Sequence, residues 1–518
     1  MQLTQSLHKG LRERPEVLAT VCGERRRTYR ELHARVARLA AGLRAQGLRP
    51  GERVGVLGVN SDHYLEAIYA VLWAGGVINP VNSRWAPPEM AYSLDDCQTR
   101  MLLVDEAFAG AVQPLREHSG MLESVLYMGD GDAPEGVTRC EALIAQSEPS
   151  EDAGRRGDDL AGVMYTGGTT GAPKGVMLSH ANLYADVLGT LAASPRPDRP
   201  IALQAAPFFH VGGLGLILQV AARLGTHVIM PGFEPGAVLA LVERERIQET
   251  FLVPTMLRMV LDHEDFSRHD LSSLRCLIYG ASPMDGGLMD RALEQLPGTG
   301  FLQVYGMTEL APVVTALPPR YHTPEGRRPD KLAAAGMPIN IAELRIVDGT
   351  DRELPPGETG EIAVRGPMVM QGYWNKPEQT AAALRDGWMH TGDAGYLDED
   401  GFLFVVDRIK DMIISGGENI YSAEVEEAIL RLPQVRQCAV IGVPDEQWGE
   451  RVHAVLVLHD GETLDHEALV AHCRTLIAPY KCPRSSEQRP ELPMSAAGKL
   501  LKYKLREPYR KDRSRRIG

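Results

Sequence analysis

TYRELHARVARLAAGLRAQGLRPGERVGVL, residues 28–57, decides the class of fold. Thr28 followed by Glu31 forms a capping box, the hydroxyl accepting from the third backbone N–H while the carboxylate reaches back to the first. Leu32, Val36, Leu39, Ala40 and Leu43 then share one helical face, and the apolar run 54–57 reads as a short strand. The rhythm repeats outward, with a helix expected over 64–72 and strands over 101–104, 162–165, 203–206, 251–253 and 276–279. Such alternation implies an α/β fold, parallel sheet layers covered by helices. From about 339 to 406 short alternating strands between Gly and Pro turns predict a small β subdomain. Beyond Asp407-Arg408-Ile409-Lys410-Asp411 the spacing predicts helix 422–431, strands 436–442 and 451–458, and helix 466–477. The expected organisation is therefore a large N-terminal domain over 1–406, a hinge at 407–411 and a small mobile α+β lid over 412–518.

A chain of 518 residues is long enough for several folding units, and 44% hydrophobic with 24% charged residues is an ordinary soluble, folded composition. The formal charge of −13 gives no footprint for nucleic acid or an anionic membrane, and the basic run 510–516 reads as a solvated terminus. Seven scattered cysteines (22, 97, 140, 276, 438, 473 and 482) show no CxxC spacing, so reduced thiols, a cytoplasmic location and no structural zinc are expected. The N-terminus lacks the apolar core of a secretory signal, and the longest uncharged stretch, 67–81, is too short and too broken by Gly75, Gly76 and Pro80 to span a bilayer.

The strongest chemical signal is Tyr165-Thr166-Gly167-Gly168-Thr169-Thr170-Gly171-Ala172-Pro173-Lys174-Gly175. Its glycines let backbone N–H groups wrap a polyphosphate, its threonines add hydroxyl donors, and Lys174 supplies a cation. Pro173 precedes the lysine and no Ser or Thr follows it, so this is not the common P-loop. A strand running in and a helix start at Ser179 set it apart from a mere flexible surface loop.

From this loop onward the chain resembles the adenylate-forming (AMP-binding) superfamily, which includes acyl-CoA synthetases, adenylation domains of peptide synthetases and beetle luciferases. The remaining motifs follow in the family's order: Pro207-Phe208-Phe209-His210, Tyr279-Gly280-Ala281-Ser282-Pro283, Tyr305-Gly306-Met307-Thr308-Glu309, Gly360-Glu361 with Arg365-Gly366, Trp388 with Thr391-Gly392-Asp393, Asp407 to Asp411 with Gly416-Gly417-Glu418-Asn419, and Leu492-Pro493 before Gly498-Lys499. They extend over essentially the whole chain. Gly167 departs from the pattern, standing where many relatives carry Ser or Thr.

The resemblance implies an ATP-dependent acid–thiol ligase that joins a carboxylate to the α-phosphorus of ATP, releases pyrophosphate, and transfers the acyl group to coenzyme A. Lys174 and the loop Thr166, Gly167, Gly168, Thr169, Thr170 and Gly171 are expected to hold the β- and γ-phosphates, with Glu309 and Thr166 or Thr170 placing Mg2+. Asp393 would accept the ribose hydroxyls and Tyr305 would stack on adenine beside Gly280, Ala281 and Ser282, while Gly306, Met307 and Thr308 complete that loop. Arg408, with Lys410 beside it, would face the ribose or α-phosphate, and Lys499 would reach the α-phosphate during adenylation. Lys410 is also the implied pivot of a rotation that withdraws Lys499 and brings Gly416 and Gly417 to line a pantetheine tunnel. His210 is expected to border the acyl pocket, although a histidine after Pro-Phe-Phe also suits a core. The uncharged wall Gly212, Gly213, Leu214, with Met256 nearby, argues against an amino acid substrate and predicts an apolar pocket. A medium or long fatty acid is favoured, with an aryl or cinnamate-type acid next and a carrier protein as an alternative acceptor. A luciferase-like relative is disfavoured, since Lys174, Glu309 and Lys499 are all present. A homodimer, no nucleic acid and no integral membrane segment complete the expectation.

Overall fold

The computed structural model describes residues 1–166, 173–281, 284, 286–323, 331–408, 412–493 and 502–510. Gly167, Gly168, Thr169, Thr170, Gly171, Ser282, Lys410 and Lys499 lie outside the described residues.

The capping box forms as read: the Thr28 hydroxyl accepts from Glu31 N at 3.2 Å, and Thr28 N donates to Glu31 Oε2 at 2.7 Å, opening helix Tyr29–Ala45. The next helix, Asp62–Trp73, is buried at every position, its apolar residues in the core and its Asp62 and Glu66 carboxylates paired with Arg25, Arg27 and Arg35. It accounts, with strand Val77–Pro80, for the long uncharged stretch, which is core. Among the described residues no helix is long and apolar enough to cross a membrane.

One nine-stranded sheet runs in the order Met337–Pro338, Val313–Leu317, Gly300–Gly306, Cys276–Gly280, Glu249–Phe251, Ile201–Gln204, Thr226–Ile229, Leu18–Cys22 and Arg25–Thr28. Its strands from Gly300–Gly306 through Leu18–Cys22 are all parallel, and the edges are antiparallel. An eight-stranded sheet places Arg53–Leu57 between Val77–Pro80 and Met101–Val104, and on the Val77–Pro80 side continues through Leu160–Thr166 to Lys174–Ser179 and Gly372–Tyr373. The loop expected to hold phosphates therefore links two antiparallel strands, with Thr166 paired to Lys174, and helix His180–Ala193 starts only after the second. Strand Lys174–Ser179 stands between the loop and the helix, where the sequence pattern predicts the helix directly.

The expected β subdomain is present as a five-stranded sheet of Glu343–Val347, Gly360–Arg365, Trp388–Leu397, Leu384–Arg385 and Leu403–Arg408. Residues after 412 build a further sheet from Met412–Ser415, Glu418–Tyr421, Val435–Asp445, Gly449–Leu458 and Ser485–Gln488. Helices Ser422–Leu430 and His466–Arg474 cover it, and Ile413, Ile420, Val440, Val452 and Leu469 belong to a core of its own.

Candidate active site

The central parallel strands of the large sheet release the candidate residues at their C-terminal ends, where open α/β sheets bind ligands. Pro207 to His210 follow Ile201–Gln204, Phe251 ends the next strand, Gly280 ends Cys276–Gly280, and Tyr305 and Gly306 end Gly300–Gly306. Gly280 pairs with Val304, so the two nucleotide motifs are neighbours, and Ala281 takes the left-handed φ of 65° that turns its chain away. Met307 and the half-exposed Thr308 follow Tyr305 into the turn Thr308–Leu310.

Tyr305 donates its hydroxyl proton to Asp393 Oδ2 at 2.8 Å, joining this rim to strand Trp388–Leu397 of the β subdomain. Arg408 is the backbone partner of Asp393 across the adjoining strand. Tyr305, Asp393 and the backbone of Arg408 thus meet at the rim that Gly280 also borders. Glu309 is buried, its Oε1 accepts from Tyr373 Oη at 2.8 Å, and Lys174 Nζ stands 4.7 Å from the centre of the same Tyr373 ring. The carboxylate and lysine expected to serve magnesium and the phosphates therefore flank one aromatic side chain. Thr166 ends the strand paired with Lys174, which suits it to the same group. A hard cation needs oxygen donors of this kind, so the residues fit Mg2+.

His210 caps helix Val211–Ala222 with its backbone, while its ring reaches the far part of the chain: Nε2 lies 3.0 Å from both carboxylate oxygens of Glu418. Arg84 completes an ion pair on the same carboxylate. Burial alone would raise the Glu418 carboxyl, but His210 and Arg84 hold it below its ordinary value, so it stays ionised. Asn60 sets the approach of His210, donating from Nδ2 to Ala206 O at 2.9 Å and accepting at Oδ1 from Phe208 N at 2.8 Å. Gly416 and Gly417 make the turn between Met412–Ser415 and Glu418–Tyr421 with φ of 60° and 80°, a conformation that suits glycine. A Cβ on Gly417 would sit 3.2 Å from Val253, so the turn lies against the wall that also carries Phe251.

That wall corrects one expectation. A Cβ at Gly213 would be driven into the Pro207 carbonyl oxygen, so this glycine permits close backbone packing and adds no pocket volume. Leu214 is buried in the main core, and Met256 is half-buried against the core behind the large sheet. At Gly212, a Cβ would meet only the edge of the Phe251 ring, at 3.5 Å.

Arg84, Glu418, Asn60 and Tyr373 were not singled out from sequence. Glu418 follows the recognised Gly416-Gly417 pair, a signal available in the motif; Tyr373, Arg84 and Asn60 carry none, since their roles arise from distant packing. Burial pushes all seven thiols up, which removes cysteine as a nucleophile. An open cleft of about 650 Å³ lined by Arg25, Arg26, Arg27, Arg35 and Arg38 lies elsewhere. Ion pairs to Asp62, Glu66, Asp130, Glu141 and Glu245 compensate it, and the cluster His63, Glu66 and Glu141 already holds the Arg35 cation.

A rim at the C-terminal edge of a parallel sheet, bordered by the hairpin expected to take phosphates and the aspartate expected to take ribose, fits the nucleotide-dependent ligase class. Residues 7–374 match the AMP-binding enzyme family and residues 424–499 its C-terminal domain. The chain is 44% identical over 496 residues to a feruloyl-CoA synthase of Amycolatopsis sp, covering 96% of each. It is 36% identical to the fatty acid–[acyl-carrier-protein] ligase ScoC of Streptomyces coeruleorubidus, covering 99% of this chain and 97% of that one. The o-succinylbenzoate CoA synthetase of Bacillus subtilis bound with its product analogue OSB-NCoA superposes with a TM-score of 0.85 at 31% identity, covering 98% of both chains. The same enzyme in complex with its acyl-adenylate intermediate gives 0.71 at 31% identity, covering 97% of this chain and 98% of that one. The protein belongs to the AMP-binding enzyme family. It is an AMP-forming ligase of the acyl/aryl-CoA synthetase kind, using ATP and CoA.

Proposed function

We propose that the acid activated here is aromatic, of the hydroxycinnamate type, and that CoA accepts the acyl group. The observation that carries this reading is the uncharged wall where Gly212 borders the edge of the half-buried Phe251 ring, an aromatic edge that an aryl group can meet edge-to-face. The likeness to a feruloyl-CoA synthase supports it. A fatty acid is the second reading, supported by the likeness to ScoC.

In the first step a carboxylate oxygen attacks the α-phosphorus and pyrophosphate leaves. Lys174 and the hairpin loop hold the departing phosphates, Asp393 and Tyr305 hold the nucleoside, and Lys499 meets the charge that develops between the carboxylate and the α-phosphate. Glu309 and Thr166 would hold Mg2+, which when bound would supply charge neutralisation on the phosphates. In the second step the CoA thiol attacks the acyl carbonyl and AMP leaves. Gly416 and Gly417 let the turn beside the pantetheine path pack closely on Trp448 and Val253, and Glu418 fixes the His210 ring at the acyl end. We place the domain boundary and pivot at 407–411. The contact of the 416–418 turn with His210 and Val253, and the higher TM-score to the product-analogue complex, support reading this arrangement as the thioester-forming one. The reduced, buried cysteines suit a cytoplasmic enzyme.

Steady-state rates over a panel of hydroxycinnamic, benzoic and fatty acids, each with CoA or a holo carrier protein, test the proposal. A hydroxycinnamate with CoA is expected to give the highest kcat/KM. A long-chain fatty acid, or the carrier protein, giving the higher value would overturn it.

A further inference from the structure

Tyr373 is absent from every role assigned so far, yet it touches both groups that hold the polyphosphate end of ATP. Its hydroxyl donates to Glu309 Oε1 at 2.8 Å, in a buried contact between residues 64 apart in sequence. Its ring carries Lys174 Nζ at 4.7 Å from the centroid. The segment bearing it is fastened to the strand that follows the phosphate loop. Gly372 and Tyr373 pair with Met177 and Val176, Trp374 N donates to Gly175 O at 2.7 Å, and Gln371 N donates to Met177 O at 2.9 Å. The backbone on the other side is tied as well, Met370 N donating to Glu309 O at 2.9 Å. Tyr373 N itself donates to Thr380 Oγ1 at 2.9 Å, which fixes the residue from behind.

We propose that Tyr373 is a positioning residue for adenylation, one that sets the Glu309 carboxylate for the cation with its hydroxyl and the Lys174 ammonium for the phosphates with its ring face. The inference rests on the reading of Glu309 and Lys174 given above. A carboxylate has about four acceptor sites, so one donated proton orients it without exhausting its capacity for a cation. An ammonium over an aromatic face is drawn toward the ring while its N–H donors still point outward. The two contacts use different parts of one side chain, so two substitutions separate them. Tyr373→Phe removes the hydroxyl alone. Tyr373→Leu removes the ring as well.

The experiment measures ATP binding by calorimetry with and without Mg2+, together with the Mg2+ dependence of acid-dependent pyrophosphate exchange. Tyr373→Phe is expected to bind ATP alone as the wild type does, to lose about fivefold of the Mg2+-dependent gain in affinity, and to need severalfold more Mg2+ for half-maximal exchange. Tyr373→Leu is expected to weaken ATP binding without Mg2+ as well. In a Glu309→Ala background the Phe change should have no further effect on Mg2+ dependence, because coupled sites are not additive. If Glu309→Ala shifts the Mg2+ dependence and Tyr373→Phe does not, the role of Tyr373 is refuted while that of Glu309 stands. If Glu309→Ala leaves the Mg2+ dependence unchanged, the underlying reading of the carboxylate fails instead. A Phe variant that alters ATP binding equally with and without Mg2+ would mark Tyr373 as structural, and would also overturn the proposal.

Discussion

Glu89→Gln should slow thioester formation while sparing adenylation, because Glu89 ties helix Pro87–Asp96 to the last quarter of the chain. Lys481 Nζ lies 2.7 Å from Glu89 Oε1 and 2.6 Å from Glu424 Oε1, with all three side chains at 10% exposure or less. Glu424 and Lys481 belong to the same C-terminal part, so of these two bonds to Lys481 it is the Glu89 one that crosses between the parts. Glu89 also caps its own helix, Oε2 accepting from Ala86 N at 2.9 Å. A glutamine has one oxygen; if it keeps the cap, its NH2 faces Lys481 and the bond to the ammonium is lost. A hydrogen bond to a charged group contributes about 1.5–3 kcal/mol, so roughly 2 kcal/mol leaves the docked arrangement, on the order of thirtyfold in its population. Lys481 keeps Glu424, so the C-terminal fold and its melt should be unchanged. Single-turnover transfer from isolated acyl-adenylate to CoA should fall on the order of tenfold or more, and pyrophosphate exchange should stay within about twofold. Equal loss in both half-reactions, or no loss in transfer, would refute the role given to this docked arrangement.

Gly213→Ala should destabilise the protein by about 1–3 kcal/mol, since its Cβ meets the Pro207 backbone and cannot be relieved by a side-chain rotation; thermal or denaturant unfolding checks this. Lys499→Ala should slow acyl-adenylate formation about a hundredfold and leave transfer from supplied adenylate nearly intact, whereas Lys410→Pro, with φ fixed at the pivot, should do the reverse. Burial lowers His322 to about 4 from an ordinary 6.5, with Nε2 2.8 Å from the Tyr279 hydroxyl. Between those values the unfolded chain binds the extra proton, so the stability His322 contributes is full above pH 6.5 and declines toward pH 4; Tm against pH should show that fall, and His322→Gln should flatten it.

The alternating pattern was legible because period and capping are local. The helix Tyr29–Ala45 and the strand Cys276–Gly280 needed only neighbouring residues to specify them. Strand ends were less legible: Glu249–Phe251 lies two residues earlier than expected, because partners set where a ladder stops. The site was legible as motifs and illegible as contacts. Tyr305 and Asp393 were each recognised, but the bond between them joins two sheets 88 residues apart, and the Glu418 contacts to His210 and Arg84 span still more chain. The wall glycines looked alike in sequence. Only packing separates Gly213, pressed on Pro207, from Gly212, beside Phe251.

The most direct test of the two-step account is acid-dependent exchange of labelled pyrophosphate into ATP with CoA left out. Exchange is predicted to proceed, since adenylation reverses before any thiol is needed, and AMP is predicted to accumulate once CoA is added. Complete ligation without exchange, or accumulation of ADP in place of AMP, would contradict it.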